Sequence, residues 1–203
     1  MEPSLAYLAS GAEDGSVRVW NLSTREMMMQ FAEHHKPVVA LVVDCERPRL
    51  FHSAGRDCAV FTHDLKLERR TVSHTRRDGA FTSLSQRLDS EKELVTADAN
   101  GRVLFWDCDA ADPVLGVNVD ANRVECVAIS PSGRFLAMCR DELLTIFELA
   151  ERANQPPRAI AEGWAHSSFL KSARWSPDER QLVSVAADNC VCVWNFFGAG
   201  ERS

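Results

Sequence analysis

The chain has a single tyrosine, and its five tryptophans and ten phenylalanines bring aromatic content to only 8%. A reader of methylated ammonium groups needs an aromatic cage, and three of the tryptophans occupy repeated positions set out below. The other two, Trp164 and Trp175, flank an apolar run near the C-terminus and read as core. Basic charge is also scarce: 23 Lys and Arg against 29 Asp and Glu give a formal net charge of −6. Counterion release from phosphates demands a basic footprint, so no nucleic-acid partner is expected. No apolar run approaches the ~20 residues of a membrane helix, and no membrane partner is expected. The opening MEPSLAYLAS has neither the basic region nor the apolar core of a signal peptide.

Paired cysteine spacings are missing as well. The seven cysteines are odd in number and form no C-x-x-C. Most lie in apolar, strand-like runs, as small hydrophobes do in a reduced compartment, which predicts a cytoplasmic protein. Cys190 and Cys192 alternate with Val191 and Val193 and so share a strand face. Two thiolates fall short of the about four ligands of a structural zinc. The six histidines do not cluster in sequence, and His34-His35, as strand neighbours, would point to opposite faces. No metal and no cofactor is expected. A Gly-rich phosphate loop, H-E-x-x-H and G-x-S-x-G are all absent, so no enzymatic activity is expected.

A five-fold internal repeat is what the sequence does contain. Ser10–Leu22, Ser53–Leu65, Thr96–Cys108, Ala137–Leu149 and Ser184–Phe196 superpose. One column holds Asp14, Asp57, Asn100, Asp141 and Asp188; six residues later stand the rings Trp20, His63, Trp106, Phe147 and Trp194. The rings are spaced 43, 43, 41 and 47 residues apart. Self-similarity at that period means stacked supersecondary units, none able to bury its apolar face alone. Short apolar or alternating runs broken by Pro, Gly, Asp and Ser predict antiparallel meanders and an all-β fold. In the last two repeats the runs are Val124–Ile129, Arg134–Cys139 and Leu143–Phe147, then Phe169–Trp175, Gln181–Ala186 and Cys190–Trp194. Glu148–Asn154 could make a short helical turn, ended by Gln155-Pro156-Pro157.

These residues resemble the WD-repeat β-propellers. The Trp-Asp dipeptide stands as Trp20-Asn21, Trp106-Asp107 and Trp194-Asn195, with His63-Asp64 and Phe147-Glu148 as variants. The Gly-His element appears without its glycine as His34-His35 and Ala165-His166. The Ser-Pro-Asp-Gly corner appears as Ser130-Pro131-Ser132-Gly133 and Ser176-Pro177-Asp178-Glu179. The resemblance implies a structural tetrad of His, Ser or Thr, Asp and Trp, complete in the last repeat as His166, Ser184, Asp188 and Trp194. In the second it maps to His35, Ser53 and Asp57, with His63 in place of Trp. The third keeps Thr96 and Trp106, and the fourth only Asp141. A motif copied around a ring is an internal staple, whereas catalysis needs one exposed nucleophile.

The expected architecture is about four blades plus two strands of another, in a single propeller segment over residues 1–198. Its repeats end near 22, 65, 108, 149 and 196, with a tail at 199–203. Such a chain reads as the C-terminal part of a larger propeller; a truncated chain, a split propeller and an open arc all fit. The resemblance implies a scaffold for protein partners. Position by position, it puts Glu13, Arg56, Ala99, Arg140 and Ala187 on one rim, with Glu13, Arg56 and Arg140 as candidate contacts. Solvated edge arginines are the plainer alternative. A basic stretch of Lys66, Arg69, Arg70, Arg76 and Arg77 is either a solvated connection or a patch for an acidic partner. Segments such as MMMQFAEHHKPV are loosely similar to WD-repeat proteins of cilia and flagella, which implies tubulin or axonemal partners. A cytoplasmic adaptor in a signalling or ubiquitin-ligase complex is the alternative.

Overall fold

A computed structural model describes residues 7–44, 47–87, 93–108, 110, 112–119, 123–150 and 155–196. They form eighteen strands in five antiparallel sheets. The chain divides into two compact units between Phe81 and Thr82. No helix among the described residues is long and apolar enough to cross a membrane.

The first unit carries two sheets. One is β1 (Tyr7–Gly11), β2 (Val17–Asn21) and β3 (Met27–Phe31); the other is β4 (Val38–Val43), β5 (Leu50–Gly55), β6 (Ala59–Asp64) and β7 (Arg69–Thr75). Val17, Val19, Phe31 and Phe51 form the core between them, with Val38 and Leu41 packed against it. The backbone N–H of Val38 donates to the Ala12 carbonyl at 3.1 Å, tying the β1–β2 turn to the entry of β4.

Three sheets follow. β8 (Phe81–Gln86), which starts at the division, joins β9 (Glu93–Asp98), β10 (Arg102–Asp107) and β11 (Pro113–Asn118). β12 (Val124–Ile129), β13 (Phe135–Arg140), β14 (Leu143–Glu148) and β15 (Arg158–Trp164) make the fourth sheet; β16 (Leu170–Trp175), β17 (Gln181–Ala186) and β18 (Val191–Asn195) make the last. Val95, Val103, Phe105, Leu136 and Met138 fill the layer between the third and fourth sheets. Phe135, Ala137, Ile146, Leu170 and Leu182 fill the next.

Sequence repeat and sheet are out of phase by one strand. Each repeat ends on the ring-bearing strand, yet the following strand pairs back onto it: Val17 faces Phe31 and Ala59 faces Thr75. The sheets count as three of four strands and two of three. The basic stretch is no simple connection, because Arg69–Thr75 is β7, with Thr71, Val72 and Ser73 supplying strand-compatible side chains. Glu148 closes β14 rather than opening a helical turn; residues 151–154 of that expected turn, and the 199–203 tail, lie outside the described residues.

The turns that carry the Asp/Asn column share one device. Each places a residue in the left-handed region: Gly15 (φ 82°), Cys58 (63°), Gly101 (77°), Asp141 (48°) and Asn189 (62°). Glycine reaches that conformation without steric cost, and Asn and Asp tolerate it. At Gly15 a side chain would also run into the carbonyl of His34.

Candidate functional site

In the last sheet four side chains make one hydrogen-bonded line. Trp194 on β18 donates its indole N–H to Ser184 Oγ on β17 at 2.8 Å. Ser184 Oγ lies 2.8 Å from His166 Nε2, and His166 Nδ1 lies 3.1 Å from Asp188 Oδ2. With Nδ1–H given to the carboxylate, Nε2 accepts from the serine hydroxyl, which in turn accepts from the indole. The Asp188 carboxylate also takes the backbone N–H groups of Cys190 and Ser167, each at 2.9 Å. Those amides, Cys190 first, hold its carboxyl below the usual carboxylate range, with His166 assisting. Ser184 is fully buried, which keeps its oxygen from any substrate.

The second sheet repeats this line with a substitution. His34 Nδ1 lies 2.9 Å from Asp57 Oδ1, and His34 Nε2 lies 2.8 Å from Ser53 Oγ. Here the structure corrects the expected residue: His34, not His35, enters the line. His34 is buried, while His35 is exposed and gives only its backbone N–H to Asp57, at 2.9 Å. His63 replaces the tryptophan, its Nε2 standing 2.8 Å from Ser53 Oγ. Its ring stacks on Phe51 with centroids 4.7 Å apart, and Phe31 lies 4.5 Å away. Burial pushes its pKa down to about 3, so the ring is neutral.

Elsewhere the line thins. Trp20 donates to Ser10 Oγ at 3.0 Å and Trp106 to Thr96 Oγ1 at 2.9 Å. The fourth sheet has Ala137 and Phe147 at these sequence positions, but its register sets Phe147 opposite Leu136, on the face away from Ala137, so no tie forms there. In the third sheet the turn carboxylate comes from Asp98, two positions before the expected Asn100. It accepts the backbone N–H of Asn100 at 2.8 Å and the guanidinium of Arg102 at 2.8 Å.

Of the candidate contacts, Glu13 and Arg56 are exposed on the β1–β2 and β5–β6 turns of the first unit. Arg140, half-buried, ends β13 in the second unit, with Ala99 half-buried and Ala187 exposed on neighbouring turns. The turns are anchored alike. Arg56 N–H donates to the Pro37 carbonyl at 2.9 Å, and Ala187 N–H donates to the Phe169 carbonyl at 2.9 Å. The basic stretch divides along β7: Lys66, Arg69 and Arg70 are exposed at its start, while Arg76 is tied at its far end by its N–H to the Cys58 carbonyl at 2.9 Å. Trp175 packs against Phe135 and Phe196, but Trp164, expected in the core, is 68% exposed on the outer strand β15. No group of three or more His, Cys, Asp or Glu among the described residues is arranged to hold a metal ion.

The family model for the WD domain, G-beta repeat, matches residues 2–21 and 160–195, the second segment spanning the complete His166–Ser184–Asp188–Trp194 line. The two matched segments are WD repeats. It is 32% identical over 112 residues to the protein LST8 homolog of Drosophila melanogaster, covering 52% of this chain and 34% of that protein. It is 23% identical over 201 residues to WD repeat-containing protein 1 of Gallus gallus, covering 95% of this chain and 32% of that one. It is 26% identical over 202 residues to the protein transport protein SEC31 of Chaetomium globosum, covering 93% and 16%. The chain thus spans about a third or less of the length of these relatives.

Proposed function

We propose that the chain is a non-catalytic scaffold that docks protein partners through the turns carrying the Asp/Asn column. The supporting observation is Arg56: an exposed guanidinium on a turn whose backbone is fixed by bonds to Pro37 and, through Asp57, to His34. A rigid frame that displays loop residues suits recognition. Arginine is enriched at interface hot spots and can grip a carboxylate bidentately. Glu13 and Arg140 hold equivalent positions on their own turns. Ser53 and Ser184 are fully buried, which supports reading the Asp–His–Ser lines as structural ties.

The setting we assign to this scaffold is the ciliary or flagellar microtubule, with tubulin or axonemal proteins as partners. Its rival is a cytoplasmic adaptor in a signalling or ubiquitin-ligase complex. Affinity purification from the native cell under mild salt, followed by mass spectrometry, separates them. Stoichiometric tubulin with axonemal proteins supports the first setting; a soluble complex with a ligase or signalling subunit supports the second. Recovery of the chain with no stoichiometric protein overturns the scaffold itself.

A further inference from the structure

Cys126 on β12 and Cys139 on β13 are direct partners across an antiparallel strand pair. Such partners have Cα atoms about 4.5–5.5 Å apart, inside the ~4.4–6.8 Å that a disulfide bridges. Both are free thiols, 5% and 0% exposed. The two thiols act on each other, lowering the Cys126 pKa and raising that of Cys139. Around them the layer is apolar, with Ala128, Ala137, Leu144 and Leu170. The Cys126 sulfur nonetheless has polar company: Ser83 Oγ donates to it at 3.9 Å, its own S–H points to the Val127 carbonyl at 3.7 Å, and the Ala173 backbone N–H and the Arg174 guanidinium also act on it.

We propose that this facing pair is a modification site, oxidised by a hydroperoxide to a reversible cross-strand disulfide. Register already sets the two residues opposite each other, the irregularity of this strand pair falling between Val124 and Cys126. The Cys126 thiolate attacks one peroxide oxygen, the O–O bond breaks, and Cys126 becomes a sulfenic acid. The Cys139 sulfur then attacks the Cys126 sulfur, the S–O bond breaks, and the departing hydroxide leaves with the Cys139 proton as water. Two thiols and one hydrogen peroxide give one disulfide and two waters, two electrons passing to the peroxide. The surroundings assign the roles. The neighbouring Cys139 thiol, then the Ala173 amide, Ser83 and Arg174, lower the Cys126 pKa, while Cys126 and burial raise that of Cys139. We therefore assign the attacking sulfur to Cys126, a residue 5% exposed and beside Ser83 Oγ, and the resolving sulfur to the fully buried Cys139. Cys139 immediately precedes Arg140, so the bridge would fix the strand end that carries a candidate partner contact.

The test treats the purified full chain with hydrogen peroxide under native conditions. Remaining thiols are blocked with a maleimide, and peptides are mapped by mass spectrometry with and without reduction. The expected result is a peptide pair linking Cys126 to Cys139, 2 Da lighter than its reduced form and lost on reduction. In Cys139→Ala, dimedone should trap a sulfenic acid at Cys126. Both thiols remaining alkylatable, or passing to sulfinic acid without cross-linking, while the exposed Cys190 oxidises, would overturn the proposal. The wild-type map decides even if a cysteine variant fails to fold.

Discussion

His63 Nε2 stands 2.8 Å from Ser53 Oγ, the distance at which Trp194 Nε1 meets Ser184 Oγ three repeats later in the chain. An imidazole N–H thus does the work of an indole N–H. The exchange brings a titratable ring into a core of Phe31, Phe51 and Phe61.

That ring makes stability depend on acid. His63 has its pKa lowered from 6.5 to about 3 by burial, and His52 is lowered to about 4, again chiefly by burial. Between about 3 and 6.5 the unfolded chain binds more protons, so stability is full above 6.5 and falls as pH drops through that window. Each histidine removes up to ~1.4 kcal/mol per pH unit there. Urea midpoints between pH 7.5 and 5 should decline, and His63→Phe should decline less steeply whatever its absolute stability. A pH-independent midpoint would contradict the buried neutral assignment.

The serine–ring tie should be specific to its sheet. Ser184→Ala leaves Trp194 N–H and His166 Nε2 without their partner, at about 1–3 kcal/mol for each group unpaired. Ala137→Ser, the reverse change in the fourth sheet, puts a hydroxyl at a fully buried position in the apolar layer of Phe135, Leu144 and Ile146 and should also cost about 1–3 kcal/mol. Chemical denaturation of both variants checks this. A neutral Ser184→Ala would remove the tetrad from the account of stability.

The left-handed turn residues give paired backbone predictions. Gly15→Ala should lose at least about 1–2 kcal/mol, since φ is 82° and the added carbon meets the His34 carbonyl. Cys58→Gly should gain about 1 kcal/mol, because Cys58 holds φ 63° without being glycine. Thermal melts of the two should move in opposite directions.

Much of the fold was legible because one period runs through the chain. The column from Ser10 to Ser184 and the rings from Trp20 to Trp194 lie ten residues apart, which the register of the first and last sheets matches, while the fourth sheet's tighter turn shifts Phe147 to the other face. The harder points were local. His34 and His35 are chemically alike, and only the path of the backbone into Val38 turns the first one inward. Asp98 was missed because its carboxylate enters the third turn from two positions earlier, where side-chain reach, not column, decides. The outer strands escaped because exposure gives them no alternation: β7 is mostly polar, and β15 exposes Trp164. Partner identity was illegible, since it rests on what a turn displays and not on the pattern that folds it.

Partner binding by wild-type chain and by an Arg56→Ala, Arg140→Ala variant, measured side by side by quantitative affinity capture, bears most directly on the scaffold function. Exposed and half-buried arginines outside the core should leave the melting temperature nearly unchanged, within about 0.5 kcal/mol each. Loss of a hot-spot arginine should weaken a stoichiometric partner by roughly tenfold or more. Equal capture by both proteins, or no stoichiometric partner for either, would contradict a scaffold that works through these turns.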